Sequence, residues 1–541
     1  MNSAILTRLY QSTATDTFMN IVQHIRRHIY KRHFNVHTNS NSTLKNNRQI
    51  NRYGNRYVNH YFQLFIFVGY TLIPFATKAD APIKPKPHWF ESFKQQASNT
   101  ALYNFLYALP KGGDLHHHLG GSGFSHWWYT LATDEKTNGG YRYYTKVFIK
   151  QCHGYGNNEF GRNPQLLLFK TIQHSHYAAL NDCEKSEYRD LVTLSDEQKT
   201  AWMNSIRLDK PFEGRAEFFE KHWSRLGDLN RNPIIMAELL VKNMQAFAKE
   251  GLRYIEAQTN AKGGIKPDGS QYSPDEVVDI FRQRLAQEDA IATGVSARLQ
   301  YALLRFLPNA EQELEWIYRF VDKHRDIYVG INMVGREDND KGYPLRFLST
   351  LRKLRQRIPN IPLAIHAGEV DEPNFHVRDT LLLGANRIGH GVNLIDDPAT
   401  MLLMRNERYL VEINLVSNLL LEYVDEYHQH PFPEYLRTGI PVALSTDDRG
   451  MWDSNMTDEY FVAVKEFNLS WQELTGLAEN SLKHGFVDEQ TKRALLADYH
   501  SRIKVFEQAF LDQGAKSFPQ TPSRYGKFIC RQYALCQPLK N

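Results

Sequence analysis

From Leu252 onward the chain alternates short apolar runs with amphipathic stretches, and this alternation restricts the fold more than any other feature. The runs fall at Leu252–Ala257, Ala297–Leu304, Tyr328–Met333, Pro362–His366, Arg387–Val392, Tyr409–Leu415 and Pro441–Ser445. Helical periods such as Ile234–Lys249, Pro274–Asp289 and Asn309–His324 separate them. Strands joined through helices pair in parallel, because a parallel neighbour needs a long crossover. An eighth run, Asp114–Leu119, stands upstream after a helical stretch over Trp89–Leu109. Eight such units predict an α/β fold, a (β/α)8 barrel of the TIM type, with an N-terminal helical extension and an insertion after the first strand. Working residues in such a barrel sit at the C-terminal ends of the strands.

The unusual polar residues fall at those ends. In the first strand, GDLHHHLGG, the two-residue period puts His116 and His118 on one face and His117 on the other. Two imidazoles on one face make half a site for zinc or a similar ion; taken alone they are equally a polar patch at a strand end. Strand five ends in AIHAGE, with His366 and then Glu369, strand six in RIGHG with His390, and strand eight in LSTDD with Asp447 and Asp448. A single strand-end His is usually a structural hydrogen-bonder, and paired aspartates usually mark a turn or helix cap. Four strand ends carrying such groups together point to one site.

HHHLGG, MVGRED, HAGE, RIGHG, VSN and LSTDD, spread over Lys111–Phe486, resemble the adenosine deaminase family of the amidohydrolase superfamily. MVGRED and EINLVSN are similar to secreted, growth-factor-type members and their bacterial relatives. The resemblance implies hydrolytic deamination of adenosine or deoxyadenosine to inosine or deoxyinosine. It implies one zinc ion per chain on His116, His118, His366 and Asp447, lowering the pKa of a water from about 15.7 to about 7. His390 would be base or electrostatic guide for that water, and Glu369 would protonate purine N1 and help hand protons to the departing ammonia. Asp448 would accept a hydrogen bond at N7, and the Gly335 N–H would donate to N3.

Three positions depart from the family pattern. Gly120 replaces an Asp that contacts the ribose 5′-hydroxyl in cytoplasmic members, Arg336 follows Gly335, and Arg449 follows the double Asp. They keep open a deaminase of another amino-purine or of a nucleotide; a rival from another class is a catalytically silent secreted binding or signalling protein on the same fold. YVGINMVG carries no Lys to bridge a second metal, and the PCxxC half of the nucleic-acid deaminase signature is absent.

The formal charge of +5 over 541 residues suggests a basic protein, but residues 1–81 hold ten of the 65 Lys and Arg against two of the 60 Asp and Glu. The remainder is slightly acidic, which argues against a nucleic-acid partner; the partner the resemblance implies is a small purine nucleoside. Residues 61–76 (YFQLFIFVGYTLIPFA) form an apolar run, and Ala79-Asp80-Ala81 offers a small-x-small cleavage site. This is the layout of a signal peptide, with a single-pass anchor as the competing reading. Translation is expected to begin nearer that run, at about Val58. Residues 82–541 are then a single metal-dependent deaminase domain, secreted or periplasmic and free of the membrane once the signal is removed. Within it the barrel core is 111–486, the insertion, read as a lid, is 135–212, and the C-terminal helices and tail are 487–541. Four cysteines without a CxxC pair fit disulfides in an oxidising space. Of three connectivities, Cys152–Cys183 with Cys530–Cys536 is the one expected. The motifs leave the oligomeric state open, a dimer included.

Overall fold

Eight parallel strands follow one another around a barrel in sequence order: β1 (Gly113–His118), β2 (Tyr254–Thr259), β3 (Ser296–Leu304), β4 (Tyr328–Val334), β5 (Leu363–Ala367), β6 (Arg387–His390), β7 (Leu410–Ile413) and β8 (Val442–Leu444). The computed structural model describes residues 88–150, 152, 158–159, 170–210, 213–339, 341–518, 527–533 and 535–536. The apolar run at 61–76 and the cleavage site expected after Ala81 lie outside the described residues.

The strands are buried on both faces, as their near-continuous apolar composition requires. The seam between β8 and β1 is closed by residues of the expected metal site. The Asp447 N–H donates to the His116 carbonyl at 2.9 Å, and the His118 N–H donates to the Asp447 carbonyl at 3.2 Å. The sequence at the strand ends therefore shuts the barrel as well as arming it.

Amphipathic helices cover the outside. α1 is Asn99–Ala108; α2 is Pro233–Lys249, started by Pro233 and by the Asn232 side chain, which accepts from the Ile234 and Ile235 N–H groups. α3 (Pro274–Leu285) opens with a capping box between Ser273 and Glu276, and α4 (Ala310–Lys323) follows β3. After β8, α5 (Trp471–Lys483) begins at the Ser470–Glu473 capping box legible in the sequence, and α6 is Glu489–Gln513. Phe105 of α1 packs edge-on against Phe506 of α6 at 5.0 Å, which ties the N-terminal extension to the C-terminal helices.

The insertion is more ordered than its polar, Gly- and Asn-rich sequence suggests. Tyr143–Lys146 pairs antiparallel with Ile172–Gln173 on one side and Tyr188–Asp190 on the other. Cys152 is bonded to Cys183 and Cys530 to Cys536, the expected pairing. Among the described residues no helix is long and apolar enough to cross a membrane.

Candidate active site

His116 and His118 leave β1 on the same face, while His117 turns away to Asp114 and Thr446, each at 3.2 Å. His118 Nε2 stands 3.2 Å from His366 Nε2 and 3.2 Å from Asp447 Oδ1, and His116 Nε2 is 3.5 Å from that oxygen. Ligands bound at zinc distances in a tetrahedron stand about 3.3 Å apart, so the spacing suits one ion. His116 Nε2 is buried with no hydrogen-bond partner, which a cation would supply. Burial, with His116 and His390 nearby, holds His366 well below the usual imidazole range, in the neutral form that binds metal. Burial also opposes protonation of His116, but the neighbouring carboxylates of Asp447 and Glu412 outweigh it and raise the ring to about 10. Cation binding there must displace a proton.

Behind these ligands runs a buried polar chain that sequence reasoning missed. His116 Nδ1 meets Glu412 Oε2 at 2.8 Å, and Arg387 bridges Glu412 and Glu256 at 2.6 and 2.7 Å. Gln300 donates to Glu256 at 2.7 Å, Asn332 donates to Gln300 at 2.9 Å, and Asn332 Oδ1 meets His366 Nδ1 at 3.0 Å. The chain thus links two ligand imidazoles through the middle of the barrel and fixes which nitrogen each turns to the metal. The available signal was a polar residue at the centre of an apolar run, as in YIEAQ, RLQYA and LVEIN.

Glu369 lies in the loop after β5, its N–H bound by Glu337 Oε1 at 2.5 Å. Burial, reinforced by Asp447 and Glu337, pushes its carboxyl well above the ordinary range, which favours the proton-bearing form. Asp448 is likewise pushed well up by burial and by Asp447 beside it. Purine N7 has a lone pair and no hydrogen, so the acceptor role expected of Asp448 is chemically excluded and any contact it made there would have to be a donation.

His390 Nε2 faces Glu369 Oε2 at 3.6 Å. Its tautomer follows from a relay that starts at a backbone donor. The Phe432 N–H donates to His430 Nδ1 at 3.1 Å, so neutral His430 carries its proton on Nε2 and donates to Asn418 Oδ1 at 3.0 Å. Asn418 Nδ2 then donates to His390 Nδ1 at 3.0 Å, leaving the His390 proton on Nε2, toward the site. Of the two expected roles, this arrangement suits the electrostatic guide. His430→Phe frees the Asn418 amide to rotate, and kcat is expected to fall on the order of 10–100-fold with metal content unchanged. Unchanged kcat would show that the relay does not matter.

His390 and Asp447 have positive φ, 64° and 53°. Holding such side chains left-handed costs about 1–3 kcal/mol each, a strain commonly found at working sites. Gly335 has φ 87°, and a Cβ there would meet Phe306 at 2.6 Å.

These groups open on a cavity of about 430 Å³ that contains His118, Gly335, His366, Glu369, His390, Asp447 and Asp448. His116 lies buried beside them, so the structure brings every expected site residue together. Phe218, Phe219 and Trp223 form an apolar wall, contributed by residues just beyond the expected insertion boundary at 212. Trp127, Trp128 and Tyr129, the aromatic wall considered from the sequence, belong to a helix packed in the core and do not line the cavity. Arg449 is buried against Phe247 and 3.4 Å from Glu250, and Arg336 is paired with Asp338 at 2.6 Å. Neither of the two departing arginines is among the lining residues.

The parallel barrel and the cluster at its strand ends define a metal-dependent aminohydrolase. The adenosine deaminase family model matches residues 185–501, and the chain belongs to that family. An adenine deaminase of Chelativorans sp. is 30% identical over 274 residues, 49% of this chain and 77% of its own. An adenosine deaminase of Aedes albopictus is 22% identical over 421 residues, 75% of each chain. Arabidopsis ADAL complexed with IMP shares the fold at TM-score 0.53 and 19% identity, over 74% of this chain and 99% of its own. A zinc-bound amidohydrolase from Burkholderia ambifaria does so at TM-score 0.53 and 18% identity, over 76% and 95%. The family match begins beyond His116 and His118, which reach the site through the closure of the barrel.

Proposed function

We propose that the protein hydrolytically deaminates adenosine or deoxyadenosine to inosine or deoxyinosine, with one zinc ion held by His116, His118, His366 and Asp447. The observation that carries this reading is a cluster of metal-binding side chains and the buried carboxyl of Glu369, its pKa raised by that burial, facing one cavity. A zinc ion held there would supply Lewis-acid activation of water at neutral pH. Glu369 donates its proton toward ring N1, which makes C6 more electrophilic, and then helps pass protons to the leaving ammonia. His390, with its proton on Nε2, steadies the attacking oxygen by donating a hydrogen bond. Asp448 donates to N7 and the Gly335 N–H to N3, so the ring enters in one orientation. The wall of Phe218, Phe219 and Trp223 packs on the flat ring and excludes bulk water.

The intact site argues against the catalytically silent reading. Export to a secreted or periplasmic location is part of the proposal, supported by the apolar run at 61–76 and by two disulfides. The test is the ultraviolet spectrum of adenosine incubated with the zinc-loaded full chain. A shift to the inosine spectrum is expected, with about one zinc per chain; full zinc with no shift would discard the substrate, and neither zinc nor shift would discard the reaction.

A further inference from the structure

We infer that His376, acting through Glu337, is a positioning residue for Glu369, the carboxyl that serves as general acid in the deamination proposed above. The inference rests on that reading and extends it beyond the cavity, since neither His376 nor Glu337 is among the described lining residues.

Glu369 stands on the loop between β5 and the helix His376–Leu382. A loop that carries a proton donor has to be fixed from outside, because a misplacement of about 1 Å can cost on the order of 100-fold in rate. Here one side chain does the fixing. Glu337, in the loop after β4, turns Oε1 to the Glu369 N–H at 2.5 Å and Oε2 to His376 Nδ1 at 2.9 Å. A carboxylate only accepts, so the imidazole carries a proton on Nδ1. Glu337 is thus clamped between the residue it holds and the first residue of the following helix.

The Glu337 side chain is 1% exposed, and its nearest other charged partner is Arg305, whose Nη1 stands 3.8 Å from Oε2. Arg305 is committed elsewhere. Its Nη2 donates to the Met333 carbonyl at 2.9 Å and to the His366 carbonyl, which ties the ends of β4 and β5 together. Among the described residues, His376 is the side chain that hydrogen-bonds Glu337. Stripped of that bond, a buried carboxylate turns toward Arg305 or water, and its hold on the Glu369 N–H loosens.

His376 itself can be truncated without opening the core. Its side chain is 19% exposed, and its N–H is fixed separately by Asn374 Oδ1 at 2.8 Å, so the helix start does not depend on the imidazole.

The test is a double-mutant cycle on the zinc-loaded full chain with adenosine. His376→Leu should lower kcat on the order of 10–100-fold, with KM and zinc content unchanged. His376→Asn, whose Nδ2 can stand in for Nδ1 as donor, should recover most of that loss. In the Glu369→Gln background, with residual turnover read at raised enzyme concentration, His376→Leu should cost no more than about twofold further, because the group it positions is already gone. A merely structural role would cost the same factor in both backgrounds. Equal losses of that kind, an unchanged kcat in His376→Leu, or loss of zinc in that variant would overturn the inference and leave deamination standing. Failure of the wild type to convert adenosine with zinc bound would overturn deamination, and the inference with it.

Discussion

His118→Ala removes the metal and the activity together. The His118 Nε2 faces both His366 Nε2 and Asp447 Oδ1 at 3.2 Å, so it is the imidazole that completes the donor set between β1, β5 and β8. Its side chain is 15% exposed toward the cavity, which spares the core when it is truncated. The backbone bond from the residue 118 N–H to the Asp447 carbonyl, part of the barrel seam, does not depend on the side chain. A folded chain with a broken metal site is therefore expected. Its zinc content should fall from about one per chain toward zero, and turnover should fall beyond the roughly 10–100-fold that follows loss of a supporting hydrogen bond. Metal analysis, circular dichroism and the adenosine assay on one sample measure all three. Retention of both zinc and wild-type turnover would remove His118 from the ligand set.

Glu369→Gln separates proton transfer from metal binding. Glu369 lies outside the cluster formed by His116, His118 and Asp447, so the variant should keep its zinc. The amide can still donate a hydrogen bond but cannot give up a proton, and loss of a positioned general acid costs typically 10²–10⁴-fold in kcat. The pH dependence carries the second half of the argument. Burial first, then the charges of Asp447 and Glu337, raise the folded-state pKa of Glu369 above its ordinary value. A carboxyl with a raised pKa keeps its proton to higher pH than usual and loses it as pH climbs through the raised value. Wild-type kcat should accordingly fall on the alkaline side, and the residual activity of the variant should lack that limb. A variant with the same alkaline limb would assign it to another group.

How much of this was legible before folding can be read from individual residues. The alternation from Leu252 to Ser445 placed seven of the eight barrel strands, and the upstream run Asp114–Leu119 the other, within about two residues, because a strand covered on both faces must be apolar and must end where turns begin. His116, His118, His366, Glu369, His390, Asp447 and Asp448 were legible because a barrel collects its strand ends at one mouth, and local period is enough to say which residues stand there.

What no window of sequence contains is the partner across the barrel. The proton direction at Asp448 depends on burial and on Asp447, and the tautomer of His390 is set by a backbone N–H at Phe432, 42 residues downstream, acting through His430 and Asn418. The chain from Glu412 through Arg387, Glu256, Gln300 and Asn332 joins five strands, and Asn230 meets Gly120 from a segment 110 residues away. The sequence by itself determined the order of strands and which side chains have the chemistry to hold a metal or a proton, since both follow from local period and residue type. Only the tertiary structure decided the direction of the pKa shifts, the tautomer and the shape of the cavity. Those depend on burial and on charges brought together by long-range closure, where desolvation and hydrogen bonding shift a carboxyl or an imidazole far from its value in water.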